Sequence, residues 1–155
     1  MAHQGFCDLK SAPDLYKKLE RDYHRIVKDE ADPYCAFDFL VTAYHMIDWI
    51  YPNDKNRQRE FEQKQVLLQL CSHIANGAKH FEATASKHKS VSSLGKQAVW
   101  NASSVTERGW EASSVTYRLQ IELDGVAKER FGASMTVRAL ADELLVFWSE
   151  KLGLE

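Results

Sequence analysis

Histidines, carboxylates and a lysine recur at helical spacing inside two apolar stretches of the chain. On the first stretch Asp38, Thr42, His45 and Asp48 follow an i, i+4, i+7, i+10 path, so Asp38 and His45 nearly eclipse after two turns. On the second, His73, Asn76 and His80 repeat the pattern at i, i+3, i+7, with Lys79 beside them. A polar group buried without a partner costs about 1–3 kcal/mol, so the two stripes are expected to satisfy each other or to line a cleft. Three chemistries suit these residue types. A histidine exchanges protons near neutral pH, a neighbouring lysine holds a phosphate or developing negative charge, and a carboxylate such as Asp48 orients an imidazole. His45, Asp48, His73 and His80 are also acceptable ligands for a transition metal, although neither His-x-x-Asp nor His-x6-His is a specific ligand signature. The third reading is a hydrogen-bond network, His45 to Asp48 and Asn76, that only fixes the packing.

Other sites lack support. There is no G-x-S-x-G elbow, no phosphate-binding glycine loop and no GxGxxG, so a serine hydrolase or a nucleotide cofactor is not expected, and no cofactor is assigned. The three cysteines, Cys7, Cys35 and Cys71, form no CxxC and read as reduced thiols in a cytoplasmic protein. The start of the chain, Met1 to Gly5, has no basic region and no apolar core of a signal peptide. The longest apolar stretch, Phe37 to Tyr51, carries Asp38, His45 and Asp48, too polar for a membrane span. With 155 residues, 45% hydrophobic and 27% charged, the chain reads as one domain over 1–155 with a core of its own. Its 20 Lys and Arg against 22 Asp and Glu exclude a dedicated duplex-DNA binder.

The elements that must position these residues are legible in the pattern. Ser11-Ala12-Pro13-Asp14 is an N-terminal helix signature, followed by Tyr16, Leu19, Tyr23, Ile26 and Val27 on one face. Asp32-Pro33 separates this helix from a second, Pro33 to Ile50, apolar nearly all round and therefore central in a bundle. A polar loop then leads to a third helix, Gln58 to Phe81, with Gly77 inside it as a point of close approach or a break. Lys79 to Lys96 is basic and serine-rich and reads as a loop, so the helical bundle and its loop span 11–96.

From Gln97 the pattern is β. Trp100-Asn101-Ala102-Ser103-Ser104-Val105-Thr106 recurs ten residues on as Trp110-Glu111-Ala112-Ser113-Ser114-Val115-Thr116. Two copies make two similar strands rather than a solenoid. Leu119, Ile121 and Leu123 alternate with polar residues, and Asp124-Gly125 predicts a two-residue hairpin into Val126 to Phe131. Thr136 caps a last amphipathic helix that Gly153 ends, completing a 97–155 region of β-hairpin and C-terminal helix.

The strings Ala43-Tyr44-His45-Met46-Ile47-Asp48-Trp49 and Cys71-Ser72-His73-Ile74-Ala75-Asn76-Gly77-Ala78-Lys79-His80-Phe81 resemble an uncharacterised bacterial family. Its members pair an HxxDW helix with an IANGxKHF helix and end in a hairpin and a Trp-bearing helix. The second string also resembles the active helix of HEPN domains, which are helical bundles, often homodimers, many of them metal-independent ribonucleases. That resemblance implies a mainly α, HEPN-like bundle with His80 as general acid/base and Asn76 as the accompanying polar residue. The motif's arginine is missing before His80. Ser72 and His73 stand there, and Lys79 or His73 would carry the positive charge. Lys79 would hold the phosphate, with His45 and Asp48 supporting the site. Single-stranded RNA would stack on Trp100, Trp110 and Trp148 beside the basic segment. The alternative is a non-enzymatic module of a defence, toxin–antitoxin or prophage system that binds another protein.

Overall fold

A computed structural model of the chain describes residues 5–80 and 89–154, with 78–80 described as backbone alone. The described residues are 57% helical, with a small antiparallel sheet and a C-terminal helix. Helix α1 (Ala12–Lys28) begins at Ser11, whose hydroxyl accepts the Asp14 N–H while donating to the Asp14 carboxylate. These bonds, the Ser11 hydroxyl first and the Lys10 N–H second, hold the Asp14 carboxyl below its ordinary range. Helix α2 (Pro33–Ile50) is capped by Asp32, which accepts from the N–H groups of Tyr34 and Cys35. It packs between α1 and the fourth helix, as its nearly continuous apolar surface requires.

The expected third helix is two helices, α3 (Lys55–Gln63) and α4 (Val66–His80). Polar α3 buries only Gln58, whereas α4 buries Leu67, Leu68, Leu70, Cys71 and Ala75. One straight rod would carry both segments at the same depth, so the chain turns at Lys64 and Gln65. The Gln69 side chain donates to the Gln63 carbonyl that the break leaves open (2.7 Å). Gly77 does not interrupt α4.

The β region starts earlier than expected, at Val91, so residues 91–96 are strand rather than loop. Strand β1 (Val91–Asn101) pairs antiparallel with β4 (Ser114–Leu123), and β2 (Ser104–Thr106) pairs with β3 (Gly109–Glu111). Trp100 opposite Val115 and Val105 opposite Trp110 belong to one register. The four strands are therefore a single long ribbon that turns at Glu107-Arg108. The two sequence repeats are its two arms.

Asp124-Gly125 is not a hairpin turn. Gly125 does take a left-handed φ of 52°, but Asp124 caps a short helix, α5 (Gly125–Phe131), through its bond to the Gly125 N–H (2.8 Å). A hairpin there has no free edge to join. The base of β4 already pairs with β1 on one side and with β5 (Ser134–Thr136) on the other, in the order β1-β4-β5. Helix α6 (Val137–Leu152) starts at Thr136 and ends at Gly153, which takes the left-handed conformation of a C-terminal cap. Trp148 on α6 sits in the core with Phe39, Leu19 and Met46, and is not available for stacking RNA. No helix among the described residues is long and apolar enough to cross a membrane.

Candidate functional site

The α2 stripe faces two different neighbours. Its first half meets α1: the Arg25 guanidinium donates to Asp38 (2.7 Å), and the Thr42 hydroxyl joins buried Asp22 (3.3 Å) and the Lys18 ammonium (2.7 Å). Lys18 and Asp22 also pair directly. A buried carboxylate needs this many donors, because a charge leaves water at a cost of several kcal/mol unless paired. The second half of the stripe meets α3. His45 Nδ1 lies 2.8 Å from Asp48 Oδ2, and Lys55 Nζ lies 3.2 Å from Asp48 Oδ1 and 3.0 Å from Gln58 Oε1. This triad is partly open to solvent. The Asp48 carboxylate forms part of the wall of a cleft of about 350 Å³ with Lys10, Trp49 and Asn53.

The α4 stripe turns elsewhere. His73 Nδ1 accepts hydrogen bonds from the backbone N–H groups of Ser90 and Val91, each at 3.1 Å. An imidazole nitrogen that accepts twice is unprotonated, so the ring anchors the start of β1 to α4. Asn76 donates to the Ser72 carbonyl one turn back (2.8 Å) and to its hydroxyl (3.4 Å). The expected network therefore forms in part: His45 joins Asp48, but Asn76 bonds within its own helix. The two stripes do not satisfy each other through any described contact. The side chains of Lys79 and His80 lie outside the described residues, as does the 81–88 part of the basic segment. Among the described residues, no group of three or more His, Cys, Asp or Glu could hold a metal.

No protein-family model, curated protein or solved structure matches the chain.

Two further clusters are set by the tertiary structure, the first of them without a signal in the sequence. Tyr23 on α1 donates to Asp142 on α6 (2.6 Å), and Arg138 donates to both, at 2.9 and 3.0 Å, with Glu30 3.7 Å away. The bond to Asp142, then burial, raises the Tyr23 hydroxyl above its ordinary range, so it stays protonated and ties α1 to α6. Short-range spacing shows only the Arg138–Asp142 pair, because Tyr23 and Glu30 lie more than a hundred residues away. Two of the three thiols, those of Cys35 and Cys71, are equally structural. The bond from Cys35 to Asp32 (2.9 Å), then burial, raises the Cys35 thiol, and burial pushes the Cys71 thiol up further. Neither is a thiolate nucleophile.

The second cluster is the ribbon. Trp100 is 68% exposed, Val105 82% and Trp110 71%, and Val115 and Tyr117 are also open. The tandem repeat was its signal. Two tryptophans in repeated positions on opposite arms of one hairpin cannot both reach a core that lies only at its base.

Proposed function

We propose that the chain is a non-enzymatic binding module and that the β ribbon is the element that grips another protein. The observation that carries this reading is the Val105–Trp110 pair at the far end of the ribbon, both residues largely in solvent. Soluble proteins place tryptophan there at a cost in solubility, and exposed aromatics are the side chains that dominate protein–protein binding energy. The charges around the pair are mixed, Arg108 with Glu107 and Glu111, which suits a protein surface better than a polyphosphate. Replacing Trp110 with Ala and Val105 with Asp should remove a partner that the wild-type chain retains on affinity beads. The melting temperature should stay within about 2 °C, because neither side chain is packed. Retention of the same partner by the double variant would refute the reading.

A second reading has one observation in its favour. Helix α4 continues through Gly77, so Asn76 and His80 stand one turn apart on the same helix, the spacing that a HEPN-like ribonuclease uses. On this reading the bundle is HEPN-like and His80 is the general acid/base. Wild-type protein in EDTA would cut single-stranded RNA and His80→Ala would not. The absence of cleavage by wild type removes the reading.

A further inference from the structure

Among the described residues, the outer edge of β1 is the longest strand edge without a partner strand. Strand β4 occupies one side of it, and among the described residues no strand or loop pairs with the other beyond the His73 anchor at Ser90 and Val91. Edges of this length are normally blunted by proline, by several charges or by a covering segment. Strand β1 has eleven residues, no proline and a single charge, Lys96, and its one irregularity, between Val91 and Ser93, leaves the rest of the edge regular.

One face of the ribbon is apolar along most of its length, with Lys96 the one charge on it. Leu94, Lys96, Ala98 and Trp100 alternate along β1 on the same side as Val115, Tyr117, Leu119 and Ile121 of β4. At the base this face is core, with Leu119 and Ile121 buried. Further out it is open. Between base and helices it borders an apolar groove of about 120 Å³, lined by Pro33, Phe37, Val41, Ile74, Leu94 and Leu119. Phe37 and Leu94 remain partly in water at its rim.

We propose that a second copy of this chain covers this face, with the β1 strands of two copies pairing edge to edge and antiparallel about a two-fold axis at Gln97. An antiparallel pair of identical strands closes on itself, so the contact is isologous and stops at two copies. The register follows from the side chains. An axis at Lys96 would set lysine against lysine, which is unfavourable directly across a ladder. An axis at Gln97 sets Lys96 opposite the second copy's Ala98, and Trp100 opposite its Leu94. Each Trp100 then lies on the apolar side of a continuous six-stranded sheet, at the mouth of the other copy's groove.

Leu94, Trp100, Val115 and Tyr117 together leave roughly 400 Å² of apolar surface open, at ~150–250 Å² per large aromatic side chain. A standard interface takes about 800 Å² from each partner, so this contact is a small one, as suits a dimer that dissociates on dilution. The far end of the ribbon, with Trp110, projects past the contact. The inference therefore stands apart from the binding role proposed above.

Sedimentation of the purified full chain, without any other protein, tests it. Wild type is expected to run as a dimer at micromolar concentration and to dissociate on dilution. Ala98→Lys sets two lysine pairs across the axis and should weaken the dimer roughly tenfold or more. Ala98→Glu sets two salt bridges with Lys96 there and should tighten it. Opposite shifts from one position report register, which a merely destabilised ribbon would not produce. A monomer at all concentrations, or a dimer that both variants leave unchanged, overturns the proposal. Partner capture by the Trp110 end is measured separately and is unaffected by either result.

Discussion

Trp148→Ala is expected to lower the free energy of unfolding by about 3–5 kcal/mol, the cost of emptying a fully buried aromatic site. The indole lies at the centre of the helical core. It stacks edge-on against Phe147 at 4.9 Å and tilts against Phe61 at 6.3 Å, so α6, which carries it, meets the loop-proximal α3 through this ring. In a domain of this size the loss corresponds to a melting temperature lower by roughly 10 °C. Trp148→Phe should cost much less. The indole N–H meets no acceptor among the described residues. Removing an unpaired buried donor recovers part of what the smaller ring gives up in contact. Urea unfolding of the three proteins measures both differences. Equal losses for Ala and Phe would mean that the indole nitrogen has a partner and that the N–H, not the ring, carries the energy.

The second large effect concerns a residue whose type suggests catalysis. His73→Leu is expected to destabilise the protein by about 2–4 kcal/mol, because two backbone N–H groups at the start of β1 lose their common acceptor. His73→Asn, with an amide oxygen near the position of Nδ1, should recover a good part of that loss. Amide exchange at Ser90 and Val91 gives the local readout, with protection falling in the Leu variant and returning in the Asn variant. A variant that keeps full stability while abolishing RNA cleavage would instead assign His73 to chemistry.

The two effects mark where local information ends. The helix start at Ser11, the Asp32-Pro33 boundary and the Thr136 cap follow from side chains that bond or restrict the backbone within four residues of themselves, and the Gly153 stop from a residue with no side chain to oppose the left-handed turn. Such signals act in any context, and the helices they delimit appear where the pattern places them. The turn at Lys64-Gln65 has no such marker. It arises because α3 and α4 need different depths in the core, and depth is a property of what packs on either side. Asp124-Gly125 has the composition of a hairpin turn and begins a helix, because both edges of β4 are already taken by strands from elsewhere in the chain.

The candidate site divides in the same way. Spacing alone placed Asp38, Thr42, His45 and Asp48 along α2, and put His45 within reach of Asp48 one turn on. Helical period could not say which neighbour each half of that stripe would meet. Tertiary packing sent Asp38 and Thr42 to the cations of α1 and Asp48 to Lys55, and gave His73 to the backbone of β1. The tandem repeat was visible as letters, but its meaning required the register that sets Trp100 opposite Val115 and Val105 opposite Trp110. The sequence by itself determined the caps, the helical faces and the apolar alternation of β4, because each depends on bonds and steric limits a few residues long. Only the tertiary structure decided which polar groups became partners and which aromatics stayed in water, because those outcomes depend on elements brought together from distant parts of the chain.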